Sequence, residues 1–336
     1  MMVKKLKILA LLHESLVPDL SVSVDEAESA DWKMEYHVIK ALKGLGHEVI
    51  LAPLSDDLSP LRRMNFEHKP DLAFNMLEEF NGEAVYDANV VSYLELIGLP
   101  YTGCNPRGLI LSRDKALTKK ILSYHRIPVP KFAVAKKNRK FSRKDLHFPL
   151  FVKSLNEEAS LGIAQASLVT DDKSLKERIA FIHETVKTDA IVEEFIEGRE
   201  LYVSVMGNGR IKLFPPTELV FSKSKDPNYE FATRKVKWDE KYRSKNGIFS
   251  QVAEGLDTAT LTRIDQVCKR TYKNLQLSSY ARIDLRLNSK GIPYVIEANP
   301  NPALSPDDEF SISALKKGLS YKALIKQILQ LAKESK

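Results

Sequence analysis

Three oxygen-bearing side chains near the C-terminal end of the chain, Asp284, Glu297 and Asn299, are spaced so that two short strands would bring them together. In Ala281-Arg-Ile-Asp-Leu-Arg-Leu287 the residues alternate with strand period: Ala281, Ile283, Leu285 and Leu287 share one face, and Arg282, Asp284 and Arg286 the other. Asn288-Ser-Lys-Gly291 reads as a turn, and residues 294–299 alternate again, with Val295, Glu297 and Asn299 on one side. Folded back as an antiparallel hairpin, the two strands present two carboxylates and an amide oxygen on a common face. Hard donors of this kind, few and open to water or phosphate, suit Mg²⁺ bound together with a nucleotide. Acidic residues are also common on solvated strands, so the rest of the chain must decide between a metal site and an ordinary exposed hairpin.

The elements that would position this hairpin begin with a βαβ pattern. Residues 6–12 read as a strand, 32–45 as a helix stopped by Gly46, and 47–52 as a second strand. Met34, Val38, Ile39, Leu42 and Leu45 recur at helical spacing, as a helix packed on a sheet requires. A short strand at 70–75 and an amphipathic helix at 86–97, ended by Gly98, continue the pattern. The fold class is therefore α/β, opening with an open parallel sheet whose ligands belong at the carboxyl ends of its strands. A second segment starts at a helix near Asp114, passes a strand ending at Lys153 and reaches about residue 190; a third holds the hairpin. The expected domains are 1–110, 111–190 and 191–336. Residues 222–247 form a long charged connection with no clear period, the kind of loop that serves as a lid or is disordered.

A chain of 336 residues exceeds a single core of ordinary size. The basic and apolar N-terminus imitates a signal peptide, but His13 and Glu14 interrupt the apolar run and no small-residue cleavage site follows. No membrane span is expected. Cys104 and Cys268 are the only cysteines, too few for a disulfide framework or a zinc site, which points to a reducing cytoplasm. The formal charge of +7 admits a nucleic-acid partner, yet the lysines are scattered. The densest cluster, residues 136–140 with Arg143 and Lys144, lacks interleaved aromatics. A surface that attracts small anions is the simpler account, and no nucleic-acid partner is expected. His13, His37 and the other histidines have no partnered serine or cysteine, which disfavours covalent catalysis.

Five stretches occur in a telling order: LPYTG at 99–103, SRDKALTKKIL at 112–122, FVKSLNEEASLGIA at 151–164, VEEFIEGREL at 192–201, and ARIDLRL to VIEANPNPALS at 281–305. Together they resemble the ATP-grasp ligases, and within them most closely the D-alanine–D-alanine ligase family, over nearly the whole chain. The resemblance implies a three-domain ATP-grasp architecture, α+β in its second and third domains, and an ATP-dependent ligase joining a carboxylate to an amine through an acyl phosphate. ATP and Mg²⁺, with Mn²⁺ an acceptable replacement, are the implied cofactors, and small carboxylates and amines the substrates. A homodimer through the N-terminal domain is implied as well.

The same resemblance assigns roles. Lys115 and Lys153 match the lysines aimed at ATP phosphates, and residues 153–163 match the glycine-rich phosphate lid, with Ser160 and Gly162 present. Ser154 stands where the family has proline and Ala159 where it usually has glycine. Glu193, Glu194, Phe195 and Ile196 match the adenine hinge, and Glu200 the ribose carboxylate. Arg282 matches the arginine facing the oxygen of a tetrahedral intermediate, with the amide of Ala303 in place of a glycine amide. Lys237 resembles the lysine of a mobile loop closing over the γ-phosphate, with Lys235 and Lys241 as close competitors.

Both substrate ends depart from the pattern. The signature that supplies a glutamate for the first substrate's ammonium is absent after the first strand, leaving Glu14, Glu28 and Glu35 as candidates. Beyond Ala303 the chain reads Leu-Ser-Pro-Asp-Asp308 where the family offers a serine to a carboxylate, and an acid there repels one. The substrate pocket is therefore expected to differ at both ends, which favours ligation of other amino acids or small acids over the competing synthesis of D-alanyl-D-alanine. The rival to a ligase is a non-catalytic ATP-binding regulatory protein that keeps the fold; such a binder has no use for Arg282.

Overall fold

The apolar run behind the N-terminal lysines becomes β1 (Lys7–His13), the centre of a parallel sheet between β2 (Glu48–Leu54) and β3 (Leu72–Asn75). In the computed structural model, which describes residues 4–143, 145–156, 163–226, 229–233, 235–236 and 239–334, Leu9 faces Ile50 on one side and Ala73 on the other. Alternation sends Ile8, Ala10 and Leu12 to one face and Leu9 and Leu11 to the other, and both faces are covered. The first receives Val38, Ile39 and Leu42 of helix Lys33–Gly44 together with Leu324, Ile325 and Ile328 of the C-terminal helix Tyr321–Glu334. The second receives Leu61 and, from helix Asp87–Leu96, Val90 and Leu94. The two ends of the chain thus share one core.

A second sheet, antiparallel and ordered β4-β7-β5-β6, is built from β4 (Phe132–Ala135), β5 (Leu150–Ser154), β6 (Leu168–Val169) and β7 (Ala190–Glu194). Helix Asp172–Phe181 packs Leu175 and Ile179 against Val152 and Val192. The third sheet contains β8 (Arg199–Met206), β9 (Lys212–Leu213), β10 (Thr217–Phe221), β11 (Ile248–Val252), β12 (Tyr280–Leu287) and β13 (Pro293–Pro300). Its order is β11-β10-β8-β12-β13, with β9 paired to β8. Val203, Ile283 and Leu285 meet Ile264 and Cys268 of helix Thr258–Asn274, so a parallel α/β sheet is followed by two antiparallel ones.

Gly103 of LPYTG fastens the first sheet to the end of β13. Its φ is +99°, and a Cβ there would lie 2.6 Å from Asn301 Oδ1, the atom that accepts a hydrogen bond from the Cys104 amide at 2.7 Å. Both cysteines are buried and unpaired. Burial pushes the Cys104 thiol up to about 12.

Two expectations are corrected. The 222–247 connection is not irregular throughout: helix Glu240–Asn246 is capped by Asp239, which accepts from the Tyr242 amide at 2.8 Å, and Val236 packs with Phe221 and Ile248. Val295 does not share a side with Glu297 and Asn299 either. A bulge interrupts the hairpin register between Asp284 and Leu285, so Val295 opposes Leu285 in the core while Glu297 opposes Asp284. One extra residue on β13 reverses the alternation at that point. Among the described residues no helix is long and apolar enough to cross a membrane.

Candidate active site

The bulge completes the hairpin face. With Asp284 opposite Glu297 and Arg282 opposite Asn299, the Asn299 amide nitrogen donates to Asp284 Oδ2 at 2.9 Å. The three expected metal donors are adjacent, although among the described residues no group of three His, Cys, Asp or Glu side chains forms a metal cluster. Two carboxylates and an amide leave coordination positions that only water or phosphate oxygens would fill, which is the donor set expected for Mg²⁺ carried with a nucleotide. Arg282 lies over this face: its Nε and Nη2 donate to the two Asp284 oxygens at 2.7 and 3.0 Å, and its Nη1 is 3.5 Å from Glu309 Oε2. Burial opposes the guanidinium's charge, but Asp284 and Glu309 outweigh it and hold the pKa well above the ordinary value.

The lysines expected to meet the phosphates arrive from two other elements. Asp114 caps helix Lys115–Tyr124 by accepting from the amides of Ala116 and Leu117 at 2.9 and 2.8 Å. This cap sets Lys115 in the first turn, where its ammonium lies 3.0 Å from Glu297 Oε1. Lys153, at the end of β5, reaches within 3.5 Å of Glu193 Oε1. A third lysine, Lys119, meets the same oxygen at 3.3 Å and donates to the Ile296 carbonyl at 2.8 Å. Lys119 has no role in the sequence reading, although it lies four residues after Lys115 and hence on the same helix face. Two buried ammonium groups sharing one carboxylate are not held equally. Burial takes Lys119 down to about 8, whereas at Lys153 burial is outweighed by Glu193 and Glu297, which raise it.

The expected adenine hinge leaves β7 at Glu194 and enters β8 at Arg199. Gly198 makes the crossing feasible, since at φ +135° a Cβ would fall 2.0 Å from the Leu287 carbonyl oxygen. Phe195 stacks with Phe151 and Tyr229 at centroid distances of 6.2 and 5.8 Å, and Phe231 closes edge-on. Glu200 Oε1 accepts from the Tyr202 hydroxyl at 2.7 Å. Glu193, Glu194, Phe195, Ile196 and Glu200 line a pocket that also reaches Lys153, Asp284 and Glu297. Glu193 Oε1 is thus buried between the Lys119 and Lys153 ammonium groups. Arg286 also lines this cavity, where the sequence pattern gave it a place on the charged face and no role.

Ser160, Gly162 and Lys237 lie outside the described residues, as do Ala159 and Lys144. Ala303 is half-buried in the link between β13 and helix Glu309–Lys316. Of the ammonium candidates, Glu28 is already engaged by Lys33 at 2.6 Å and His37 at 2.9 Å, and Glu14 is exposed just after β1. Glu35 is 1% exposed, and burial pushes its carboxyl up to about 7. At the other end Lys33 pairs with Asp307 at 2.8 Å, and Asp308 accepts from the Ser305 amide at 2.7 Å with its pKa raised to about 6 by burial and by Glu309.

A pH effect on stability follows from Glu35. Its folded pKa of about 7 lies above the ordinary 4.5, so the folded chain binds the extra proton between those values. The associated stability is complete below pH 4.5 and is lost as pH rises through 7. The loss amounts to about 3 kcal/mol. Thermal unfolding at pH 5 and pH 8 is expected to show a clearly smaller difference for Glu35→Gln than for the wild type. Equal differences in the two proteins would refute it.

Known proteins resemble this chain over most of its length. The family described as "D-ala D-ala ligase C-terminus" matches residues 121–330, well over half of the chain. An uncharacterized protein, y4sG, of Sinorhizobium fredii is 30% identical over 302 residues, 88% of this chain and 86% of that protein. A D-alanine–D-alanine ligase of Moorella thermoacetica is 30% identical over 309 residues, covering 88% and 92% of the two. The structure of D-alanine–D-alanine ligase from Bacillus anthracis complexed with ATP superposes with a TM-score of 0.76 at 22% identity, covering 98% of each chain, which establishes the ATP-grasp fold. The hairpin, the hinge and the paired lysines are thus set in a known frame: the chain belongs to the D-alanine–D-alanine ligase family.

Proposed function

We propose that this protein is an ATP-dependent carboxylate–amine ligase acting through an acyl phosphate. The observation that carries the reading is the juxtaposition of Arg282, Asp284, Glu297 and Asn299 on one hairpin face with Lys115, 3.0 Å from Glu297, and with Lys153, which lines the same cavity as Asp284 and Glu297. Asp284, Glu297 and Asn299 would hold Mg²⁺, which when bound neutralises and orients the phosphates in transfers of this kind. Lys115 and Lys153 act as fixed cations toward the triphosphate, and Glu193 and Glu200 orient adenine and ribose. The substrate carboxylate attacks the γ-phosphorus, ADP leaves, and the acyl phosphate retains the carbonyl carbon. The amine then attacks that carbon, Arg282 and the Ala303 amide meet the oxyanion, and phosphate departs. Lys237, with Lys235 and Lys241 as its competitors, would supply a further cation to the γ-phosphate.

The acidic pair Asp307 and Asp308 and the altered ammonium end argue for amino acids or small acids other than D-alanine. The test is phosphate release from ATP and Mg²⁺ with pooled amino acids, amines and small carboxylic acids. Release that depends on both an acid and an amine supports the ligase. ATP binding with no release in any pool would leave the regulatory reading in its place, and full activity with D-alanine alone would overturn the altered specificity.

A further inference from the structure

We infer that Arg286 is a positioning residue of the nucleotide pocket, a buried pin that fixes the hinge, the ribose carboxylate and residues 230–232 of the 222–247 connection in one geometry. This rests on the ligase reading only in taking the cavity as a nucleotide site. Strand pairing places Arg286 of β12 directly opposite Glu200 of β8, and two residues from Asp284 on the same face. Its side chain is 5% exposed. Nε donates to the Ile196 carbonyl at 2.9 Å, Nη1 donates to the Glu230 carbonyl at 2.6 Å, and the same Nη1 lies 3.4 Å from Glu200 Oε2. The guanidinium also lies over the Phe195 ring, 4.8 Å from its centroid.

These contacts join segments that are far apart in sequence. Ile196 belongs to the hinge, Glu200 is the expected ribose ligand, and Glu230 is followed by Phe231 and Ala232, which line the cavity themselves. The Ala232 amide completes the link, donating to Glu200 Oε2 at 3.3 Å. A rigid planar fork can hold two carbonyls and a carboxylate at once while stacking on an aromatic ring, whereas the flexible point charge of lysine cannot do so in the same geometry. Without the fork, the Ile196 and Glu230 carbonyls lose a buried donor and Glu200 a counter-charge. Both the hinge and residues 230–232 would then shift. Arg286 therefore couples nucleotide binding to the order of the segment that carries Lys235 and Lys241.

The experiment compares full-length wild type, Arg286→Lys and Arg286→Met by calorimetric titration with Mg²⁺-ATP and by limited trypsin digestion with and without it. Melting temperature is recorded alongside, and the lysine variant keeps the charge should the methionine variant fail to fold. The wild type is expected to bind and to become protected from cleavage within 222–247. Arg286→Lys should bind at least about tenfold more weakly and lose that protection. A merely structural role would lower the melting temperature without moving either readout. Binding within about twofold of wild type, or weaker binding with protection retained, overturns the inference while leaving the ligase reading intact. Failure of the wild type itself to bind Mg²⁺-ATP overturns both.

Discussion

Replacing Asp284 by Asn, or Glu297 by Gln, is expected to abolish Mg²⁺-dependent turnover. The loss should be several kcal/mol of transition-state stabilisation, roughly a thousandfold or more in kcat. The two carboxylates face each other across β12 and β13, and with Asn299 they supply every protein oxygen proposed for the metal. Each substitution keeps the shape of the side chain and removes its charge, so the hairpin should fold. Glu297→Gln also deprives Lys115 of its ion-pair partner at 3.0 Å, and Asp284→Asn leaves Arg282 one acceptor oxygen in place of two and no counter-charge there. The check is therefore twofold: turnover against Mg²⁺ concentration, and the thermal stabilisation by ATP with and without the metal. Variants that still turn over at a tenth of the wild-type rate or better would exclude these residues as the metal ligands.

Arg282→Met should cost about 10²–10³ in kcat, or roughly 3–4 kcal/mol, as removing a preorganised oxyanion donor does. The loss should fall on one half of the reaction. Phosphoryl transfer to the carboxylate requires the lysines and the metal face, whereas Arg282 is assigned to the tetrahedral oxyanion formed when the amine attacks. Hydroxylamine trapping of the acyl phosphate is thus expected to survive in Arg282→Met while amide product falls. Arg282→Lys should restore little, because a point charge reproduces neither the fork on Asp284 nor the position of the second donor. Equal loss of trapped intermediate and amide would assign Arg282 to phosphoryl transfer or to holding Asp284, and the oxyanion role would fall.

Much of this site is legible in the chain because alternation and helical spacing report which residues share a face. The apolar run at residues 6–12, the helix after Trp32 and the hairpin with its charged face follow from period alone. The bulge at the hairpin does not, since an inserted residue leaves no mark in an alternating pattern until its partner strand is known. Lys119 and Arg286 escape for a different reason. A charged residue is ordinarily taken as solvated, and only the tertiary structure shows Lys119 enclosed between Glu193 and the Ile296 carbonyl, or Arg286 beneath the hinge. The folded part of 222–247 was hidden because its apolar anchors, Val236 and Phe231, are single residues in a charged stretch, with no period to announce them.

The pairing of acids with bases around the cavity has one more consequence. Glu297 is held by Lys115, Glu193 by Lys119 and Lys153, Asp284 by Arg282 and Glu200 by Arg286. A triphosphate that recruits the lysines would strand their carboxylates, and a divalent cation that recruits Asp284 would strand an arginine. A buried charge left alone is expensive. On the proposed reading, each displaced group would find an opposite charge when both arrive together, and the pocket would exchange its internal ion pairs for the metal and nucleotide as one salt. Their affinities should be reciprocally linked by about 1–3 kcal/mol, each tightening the other.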